Sequence, residues 1–201
     1  MNVLVGRKAP NFVANAVLAD GTIEDNYNFE ERTKDKYKLL VFYPLDFTFV
    51  CPSELIALSN RMPKFKELGV EVIAISIDSQ YTHAAWRNTD TKNGGIGQVQ
   101  YDMVADLRHH ICQAYGVEHP EAGVAFRASF LIDKKNVVRA QLVNDLPLGR
   151  NIDELLRLVD ALQFHENHGE VCPAGWQKGQ AGMKATPEGV ADYLADYATE
   201  L

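Results

Sequence analysis

The sequence predicts an α/β protein with a central mixed β-sheet flanked by helices, followed by a C-terminal extension. Three observations favour this class. Apolar, β-prone runs alternate with helical patterns between residues 38 and 165. Two strand patterns follow one another directly between residues 128 and 143. Beyond residue 167 the periodic pattern ends in a segment rich in Gly and Pro.

The first half of the chain alternates strictly between strand and helix. Its predicted elements are a strand over residues 38–43, a helix over 53–68, a strand over 70–78 and a helix over 80–90. Gly69 ends the first of these helices, and a Gly-rich turn over residues 93–97 follows the second. This order is typical of strands joined by helical crossovers.

The second half begins with a helix around Cys112 and continues with two adjacent strands. Its predicted elements are a helix over residues 106–115, strands over 128–133 and 136–143, and a long amphipathic helix over 151–165. Lys134-Lys135 indicates a tight hairpin between the two strands. The resulting order, βαβα and then ββα, describes a thioredoxin-like sheet covered by helices.

The length of 201 residues fits one well-buried core and is short for two. We expect a thioredoxin-like domain over residues 1–167 and a C-terminal extension over residues 168–201. The extension contains a final helical pattern, Glu188 to Glu200. Because it is too small to form a core of its own, it must dock on the main domain or on a neighbouring chain.

The charge of the chain excludes two classes of partner. A formal net charge of -7 argues against nucleic acid or an anionic membrane as the main partner, since both require a basic surface. The N-terminal residues lack the apolar core of a signal peptide. The most apolar stretch, Leu39 to Val50, is too short to span a bilayer. We therefore expect a cytoplasmic protein.

The three cysteines, Cys51, Cys112 and Cys172, are too few and too scattered for a secreted disulfide scaffold. Cys112 lies at core-facing spacing in its helix and is predicted to pack as a small apolar residue. Two clusters contain residue types that bind metals. One consists of His165, His168 and Cys172, and the other of His109, His110 and Cys112. Neither has an evident fourth ligand, so we expect no metal. No flavin or nicotinamide motif is present in the sequence, so we expect no other cofactor.

Cys51 lies where a helical pattern begins, with Pro52 in the first turn. Free backbone N–H groups and the helix dipole at such a position favour a thiolate over a thiol. Thr48, three residues earlier, can bring its hydroxyl beside the sulfur, and Pro44 can shield the site from water. The alternative is a buried structural cysteine among loop prolines.

Three separate segments resemble the peroxiredoxins. Pro44, Thr48 and Cys51 form the P-x-x-x-T-x-x-C pattern of the active-site loop in that family. Gly123–Asp133 is similar to the segment that carries the active-site arginine. Gly169–Ala174 is similar to the resolving-cysteine segment of typical two-cysteine members, a group that includes the bacterial alkyl hydroperoxide reductase C subunits.

The resemblance implies a role for each matching residue. Cys51 is then the peroxidatic thiolate, which a peroxide oxidises to a sulfenic acid. Thr48 hydrogen-bonds the sulfur and the substrate, and Arg127 stabilises the thiolate and polarises the O–O bond. Glu54 orients Arg127 through a salt bridge or, alternatively, is a solvated first-turn acid. Pro44 excludes water from the pocket.

The resemblance also implies that Cys172 condenses with the sulfenic acid of the partner subunit. From the residues alone, an intrachain bond is equally open. Thioredoxin or a dedicated flavoprotein then reduces the disulfide, and the protein is a homodimer, with a decamer of dimers as a larger form. Gly94–Gly97 resembles the glycine-rich insertion of members sensitive to overoxidation, and Tyr193-Leu194 loosely resembles their C-terminal aromatic pair. We expect intermediate sensitivity.

The function that these residues predict is reduction of hydrogen peroxide and organic hydroperoxides. A redox-regulated oligomeric chaperone or scaffold is the alternative, because members of this family can form rings of dimers. Only the enzyme requires Cys51, Thr48 and Arg127 together. Disulfide transfer to other proteins would normally require a nearby C-x-x-C, which the chain lacks.

Overall fold

A computed structural model describes residues 3–199 and residue 201. Seven strands form one mixed sheet in the order β2-β1-β5-β4-β3-β6-β7. The strands are β1 Val13–Val17, β2 Ile23–Asn28, β3 Tyr37–Phe42, β4 Val70–Ser76, β5 Asp102–Ala105, β6 Arg127–Ile132 and β7 Val138–Asn144. The helices are α1 Phe29–Arg32, α2 Cys51–Asn60, α3 Met62–Glu67, α4 Gln80–Arg87, α5 His110–Ala114, α6 Ile152–His168 and α7 Pro187–Tyr197. The predicted α/β class with a central mixed sheet is confirmed.

The central strand β3 determines where the site lies. All six of its residues are buried, and it pairs in parallel with β4 and antiparallel with β6. A parallel neighbour requires a crossover, which α2 and α3 provide. The chain therefore leaves the end of β3 at Phe42, forms a loop over residues 43–50 and enters α2 at Cys51.

Two of the predicted helices differ strongly from the structure, whereas the bounds of the other three agree to within three residues. The helix predicted over residues 53–68 is divided at Arg61 into α2 and α3, because Pro63 has no N–H and its ring clashes with the preceding turn. The helix predicted over residues 106–115 is reduced to the five residues of α5. The Asp106 carboxylate accepts the first N–H groups of α5, at 3.1 Å from Ile111 and 2.7 Å from Cys112.

Three strands were missing from the prediction. The hairpin of β1 and β2 lies at the sheet edge. The five residues of β1 are interrupted by Asn15, and β2 is mostly polar, so neither gives an apolar run. The four-residue β5 is too short to give a periodic pattern on its own, although it pairs with both β4 and β1. Pairing with neighbouring strands stabilises these segments as strands despite their weak local pattern.

Cys112 is part of the main core, as predicted. It is fully buried in a cluster that includes Phe42, Tyr115 and Phe130, whose rings contact one another at centroid distances of 5.0–5.7 Å. Burial raises the pKa of the Cys112 thiol far above its ordinary value, and the nearby Asp106 carboxylate raises it further. Such a thiol is unreactive at neutral pH.

The chain divides into two compact units, Met1–Ile152 and Asp153–Leu201. The division falls at the beginning of α6, whereas the predicted domain boundary at residue 167 stays a prediction. The predicted final helix is present as α7, and its predicted last residue, Glu200, lies outside the described residues. Within the described residues, no helix is both long enough and apolar enough to cross a membrane.

Candidate active site

The sulfur of Cys51 lies at the first residue of α2 and is fully buried. The Thr48 hydroxyl is 3.0 Å from it, and an Nη1–H of Arg127 donates to it at 3.4 Å. The backbone N–H groups of Ser53 and Glu54 both donate to the Val50 carbonyl oxygen. The polar contacts of the sulfur are therefore made by two side chains rather than by these backbone groups of the first helical turn.

The loop before Cys51 is held by a buried hydrogen-bond network that the sequence analysis did not identify. Asp46 accepts a hydrogen bond from the Tyr43 hydroxyl at 2.6 Å, and its other oxygen lies 2.7 Å from Nδ1 of His83. The Asp46 backbone N–H donates to Asp78 at 2.9 Å. The adjacent Leu45 carbonyl accepts from the Thr48 hydroxyl at 2.8 Å. This network anchors the loop that aims Thr48 at the sulfur.

Arg127 reaches Cys51 from the sheet. It is the first residue of β6, is nearly completely buried, and its Nε–H donates to the Leu146 carbonyl oxygen at 2.6 Å. Its Nη1–H donates to Glu54 at 2.8 Å, so one guanidinium nitrogen lies near both the carboxylate and the sulfur. The salt bridge that was expected between Glu54 and Arg127 is present, and Glu54 is buried rather than solvated.

A second buried arginine, Arg150, completes the charged cluster, and the sequence analysis missed it. Its Nε and Nη2 donate to the two carboxylate oxygens of Glu54 at 2.9 and 3.0 Å, and its backbone N–H donates to Glu54 at 2.7 Å. Its Nη1 donates to the carbonyl oxygens of Phe42 and Ala128 at 2.8 and 2.7 Å. The preceding Gly149 lies close to α2, where an added Cβ would be 3.3 Å from the Val50 side chain.

The cluster of Glu54, Arg127 and Arg150 has one more positive than negative charge when Glu54 is ionised. Burial alone would raise the pKa of Glu54, but the hydrogen bonds and charge of Arg150, with the charge of Arg127, outweigh it and lower this pKa. Two buried guanidinium groups therefore share one carboxylate. One positive charge of the cluster is therefore left without a carboxylate, and the Cys51 sulfur lies beside it.

Pro44 and Cys172 are the other two predicted site residues. Pro44 is buried in the loop that follows β3. Cys172 lies in the second compact unit, where it is half-buried and its thiol donates to the Ala161 carbonyl oxygen at 3.3 Å. Burial raises the pKa of this thiol, and the charge of Arg157 partly offsets the rise. The first unit thus brings together Cys51, Thr48, Arg127 and Glu54, and Cys172 belongs to the other unit.

The histidines of the two possible metal clusters have other partners. Nδ1 of His165 lies 2.8 Å from the Glu170 carbonyl oxygen, and Nδ1 of His168 lies 3.0 Å from that of Phe164. His109 pairs with Glu118. Among residues 3–199 and 201, no group of three or more His, Cys, Asp or Glu side chains is arranged to hold a metal ion.

The arrangement around Cys51 suits attack by sulfur on an electrophilic oxygen. A buried nucleophile lies beside one hydroxyl, which can donate and accept, and beside one fixed cation. Groups that already point at the place where charge develops need no reorganisation during the reaction. The site thus brings a thiol, a hydroxyl group and a fixed cation together within one buried cluster.

Comparisons with known proteins identify the family of the chain. A model described as the AhpC/TSA family matches residues 5–141, and one described as the C-terminal domain of 1-Cys peroxiredoxin matches residues 161–196. Alkyl hydroperoxide reductase C of Buchnera aphidicola subsp. Baizongia pistaciae is 53% identical over 192 residues, 96% of each chain. The protein of the same name from Helicobacter pylori is 50% identical over 199 residues, 99% of this chain and 100% of the other.

The fold comparison points in the same direction. The crystal structure of reduced 2-Cys peroxiredoxin from Plasmodium vivax superposes with a TM-score of 0.92 at 46% identity. The match covers 96% of this chain and 100% of the other. It confirms the predicted thioredoxin-like class and the predicted resemblance. The chain therefore belongs to the AhpC/TSA family and is an enzyme of the peroxiredoxin class.

Proposed function

We propose that this protein is a thiol peroxidase that reduces hydrogen peroxide and organic hydroperoxides at Cys51. One observation carries the proposal: the Cys51 sulfur lies in a buried pocket 3.0 Å from the Thr48 hydroxyl and 3.4 Å from the Arg127 guanidinium. A structural cysteine has no need of a buried cation. The imbalance of charge around Glu54 supports a thiolate as the resting nucleophile.

In the first step, the Cys51 thiolate attacks the terminal oxygen of the peroxide. An S–O bond forms and the O–O bond breaks, so that Cys51 is oxidised to a sulfenic acid. The other peroxide oxygen leaves as an alkoxide or hydroxide and takes up a proton to become alcohol or water. Arg127 stabilises the negative charge as it moves from sulfur to the leaving oxygen.

Thr48 has one proton and two acceptors within reach. When its hydroxyl donates to the Leu45 carbonyl oxygen, at 2.8 Å, its lone pairs are free to accept the O–H of the incoming peroxide. When it donates to the Cys51 sulfur, at 3.0 Å, it stabilises the thiolate. Pro44, buried in the same loop, limits the access of water to the pocket.

In the second step, Cys172 of the partner subunit attacks the sulfur of the Cys51 sulfenic acid. An S–S bond forms, the S–O bond breaks and water leaves. Thioredoxin or a dedicated flavoprotein disulfide reductase then supplies two electrons to restore both thiols. The intrachain bond that the sequence left open is the alternative to this pairing.

The pairing between subunits implies a homodimer as the working unit, and a decamer built from dimers is its proposed larger form. A cytoplasmic location, favoured by three unpaired cysteines, also belongs to the proposal. So does the division into a peroxidase domain over residues 1–167 and an extension over residues 168–201 that carries the resolving cysteine.

A redox-regulated chaperone or scaffold is the second candidate. Phe49 is 96% exposed and Phe47 is 51% exposed, and exposed aromatic side chains favour contact with other chains. A peroxidase can use the same surface for assembly, so this observation does not compete with the chemistry. Assembly without peroxide reduction would favour the scaffold.

The proposed disulfide is tested on a non-reducing gel after peroxide treatment. We expect a covalent dimer in the wild type because Cys51 and Cys172 pair between subunits. The band should disappear in Cys51→Ser and in Cys172→Ser. It should persist in Cys112→Ser, the control, because that thiol is buried and unreactive. Monomer throughout, with no loss of free thiol after peroxide, would contradict the proposed function.

Thr48→Val removes the hydroxyl while keeping the shape of the side chain. We expect the second-order rate constant for peroxide reduction to fall by roughly 100- to 1000-fold, the usual effect of losing one aimed hydrogen-bonding group. Thr48→Ser, which keeps the hydroxyl, is the matched control and should retain most of the rate. Stopped-flow kinetics measure both variants, and equal rates in Thr48→Val and wild type would exclude this role.

Glu54→Gln tests the buried carboxylate. Because the pKa of Glu54 is lowered in the fold, its ionised form stabilises the protein above the ordinary value of 4.5, and this contribution is lost as the pH falls through the lower folded value. We expect Glu54→Gln to lower the free energy of unfolding at neutral pH by about 3–5 kcal/mol. The difference from wild type should shrink in acid.

Urea denaturation at several pH values measures the effect of Glu54→Gln. Glu67→Gln, at an exposed position, is the control and should change the free energy of unfolding by less than about 0.5 kcal/mol. The rate of peroxide reduction should also fall in Glu54→Gln, since Arg127 loses the partner that orients it. A difference between Glu54→Gln and wild type that does not change with pH would contradict the account.

A further inference from the structure

The second compact unit holds the Cys172 segment along one face of α6. Arg157, Ala161 and Phe164 follow one another on this helix at spacings of four and three residues, so they share a face. The Cys172 thiol donates to the Ala161 carbonyl oxygen at 3.3 Å. The ring of Phe164 packs against that of Trp176 with centroids 4.7 Å apart. The segment is thus held on α6 at the cysteine and four residues after it.

Arg157 makes the remaining contact, and its own helix orients it. Glu154, one turn earlier, accepts from Nε and Nη2 of Arg157 at 2.6 and 2.7 Å. This bidentate pair fixes the plane of the guanidinium. The remaining nitrogen, Nη1, then donates to the Trp176 carbonyl oxygen at 2.9 Å. Arg157 therefore fastens the chain four residues after Cys172 to the helix.

The surroundings of Cys172 have opposing effects on the pKa of its thiol. Burial raises the pKa of its thiol, whereas the charge of Arg157 acts in the opposite direction. The hydrogen bond to Ala161 also favours the thiol, because a thiolate has no proton to donate to a carbonyl oxygen. Arg157 is thus the group in this surrounding that favours the reactive, ionised form.

We propose that Arg157 is a positioning residue for the second chemical step, which holds Cys172 on α6 and supports its thiolate. The inference rests on the proposed role of Cys172 as the resolving thiol. In that step the Cys172 thiolate displaces hydroxide from the Cys51 sulfenic acid, forming the S–S bond as the S–O bond breaks. The hydroxide takes up the proton that the Cys172 thiol released, so the step consumes no further oxidant or reductant.

The stabilisation of the Cys172 thiolate by Arg157 affects whether the Cys51 sulfenic acid forms a disulfide or is oxidised further. The thiolate is the attacking species, so the rate of disulfide formation follows its fraction at Cys172. A slower attack leaves the Cys51 sulfenic acid exposed to a second peroxide, which converts it to a sulfinic acid. Loss of Arg157 should therefore slow resolution and raise sulfinic acid at Cys51, while the reaction of Cys51 with the first peroxide is unchanged.

The pH dependence of Cys172 alkylation tests this directly. Reduced full-length protein is treated with iodoacetamide at a series of pH values, and peptide mass spectrometry follows the Cys172 adduct. The midpoint of the profile reports the stability of the thiolate, and the plateau at high pH reports accessibility. In Arg157→Gln we expect the midpoint to move to higher pH and the rate at neutral pH to fall roughly two- to five-fold, as for a partly exposed ionic interaction.

Two further variants separate charge from general disturbance of the unit. Arg157→Lys keeps the positive charge but cannot make the bidentate contact with Glu154 and the contact with Trp176 at the same time. We therefore expect an alkylation midpoint near that of wild type and, because the segment is held less firmly, a higher plateau. If Arg157→Gln does not fold, an Arg157→Lys plateau equal to that of wild type would overturn the proposed positioning of Cys172. Lys178→Gln removes a different cation, which pairs with Asp160 on the same helix at 3.3 Å, and should leave the midpoint unchanged. An unmoved midpoint in Arg157→Gln, or an equal movement in Lys178→Gln, would overturn the proposal.

A single turnover with one equivalent of peroxide supplies the second readout. Arg157→Gln should form the Cys51–Cys172 disulfide more slowly than wild type and accumulate more sulfinic acid in excess peroxide. Equal rates of disulfide formation in both proteins would overturn the proposal. If the wild type itself forms no such disulfide, the proposed resolving role of Cys172 fails, and the alkylation midpoint alone still decides whether Arg157 supports the thiolate.

Discussion

The buried carboxylate of Glu54 is the interaction on which the rest of the site depends. It accepts hydrogen bonds from Arg127 on β6 and from Arg150 in the loop before α6, and it lies one helical turn after Cys51. Three distant parts of the chain are thereby held together around one sulfur. Removing one partner of a buried ion pair is costly, so the same contact that orients Arg127 also stabilises the fold.

The three cysteines show how surroundings decide the chemistry of one side chain. Burial of Cys112 in an apolar core, and secondly the nearby Asp106 carboxylate, raise the pKa of its thiol and keep it protonated. Cys51 is equally buried but lies beside a guanidinium group in a cluster with excess positive charge, so that it can serve as a nucleophile. Cys172 is intermediate, since burial and a carbonyl acceptor favour its thiol and Arg157 favours its thiolate.

Features of the fold and the site that depend on neighbouring residues could be predicted from the sequence. The spacing of Thr48 and Cys51 predicted their contact, and Pro63 could have indicated the break between α2 and α3. Arg150 carries no local signal, because its partner Glu54 is 96 residues away. The contact between Asp46 and His83 was hidden for the same reason, as was β5, whose strand form depends on pairing with β4.

If Cys51 is the one cysteine that reacts with peroxide, its sulfenic acid can be trapped chemically. Reduced protein is given one equivalent of hydrogen peroxide in the presence of dimedone, and peptide mass spectrometry locates the adduct. We expect an adduct at Cys51, more abundant when Cys172 is replaced by Ser, and none at Cys112. An adduct at Cys112 or Cys172 without one at Cys51, or no adduct in either protein, would contradict this expectation.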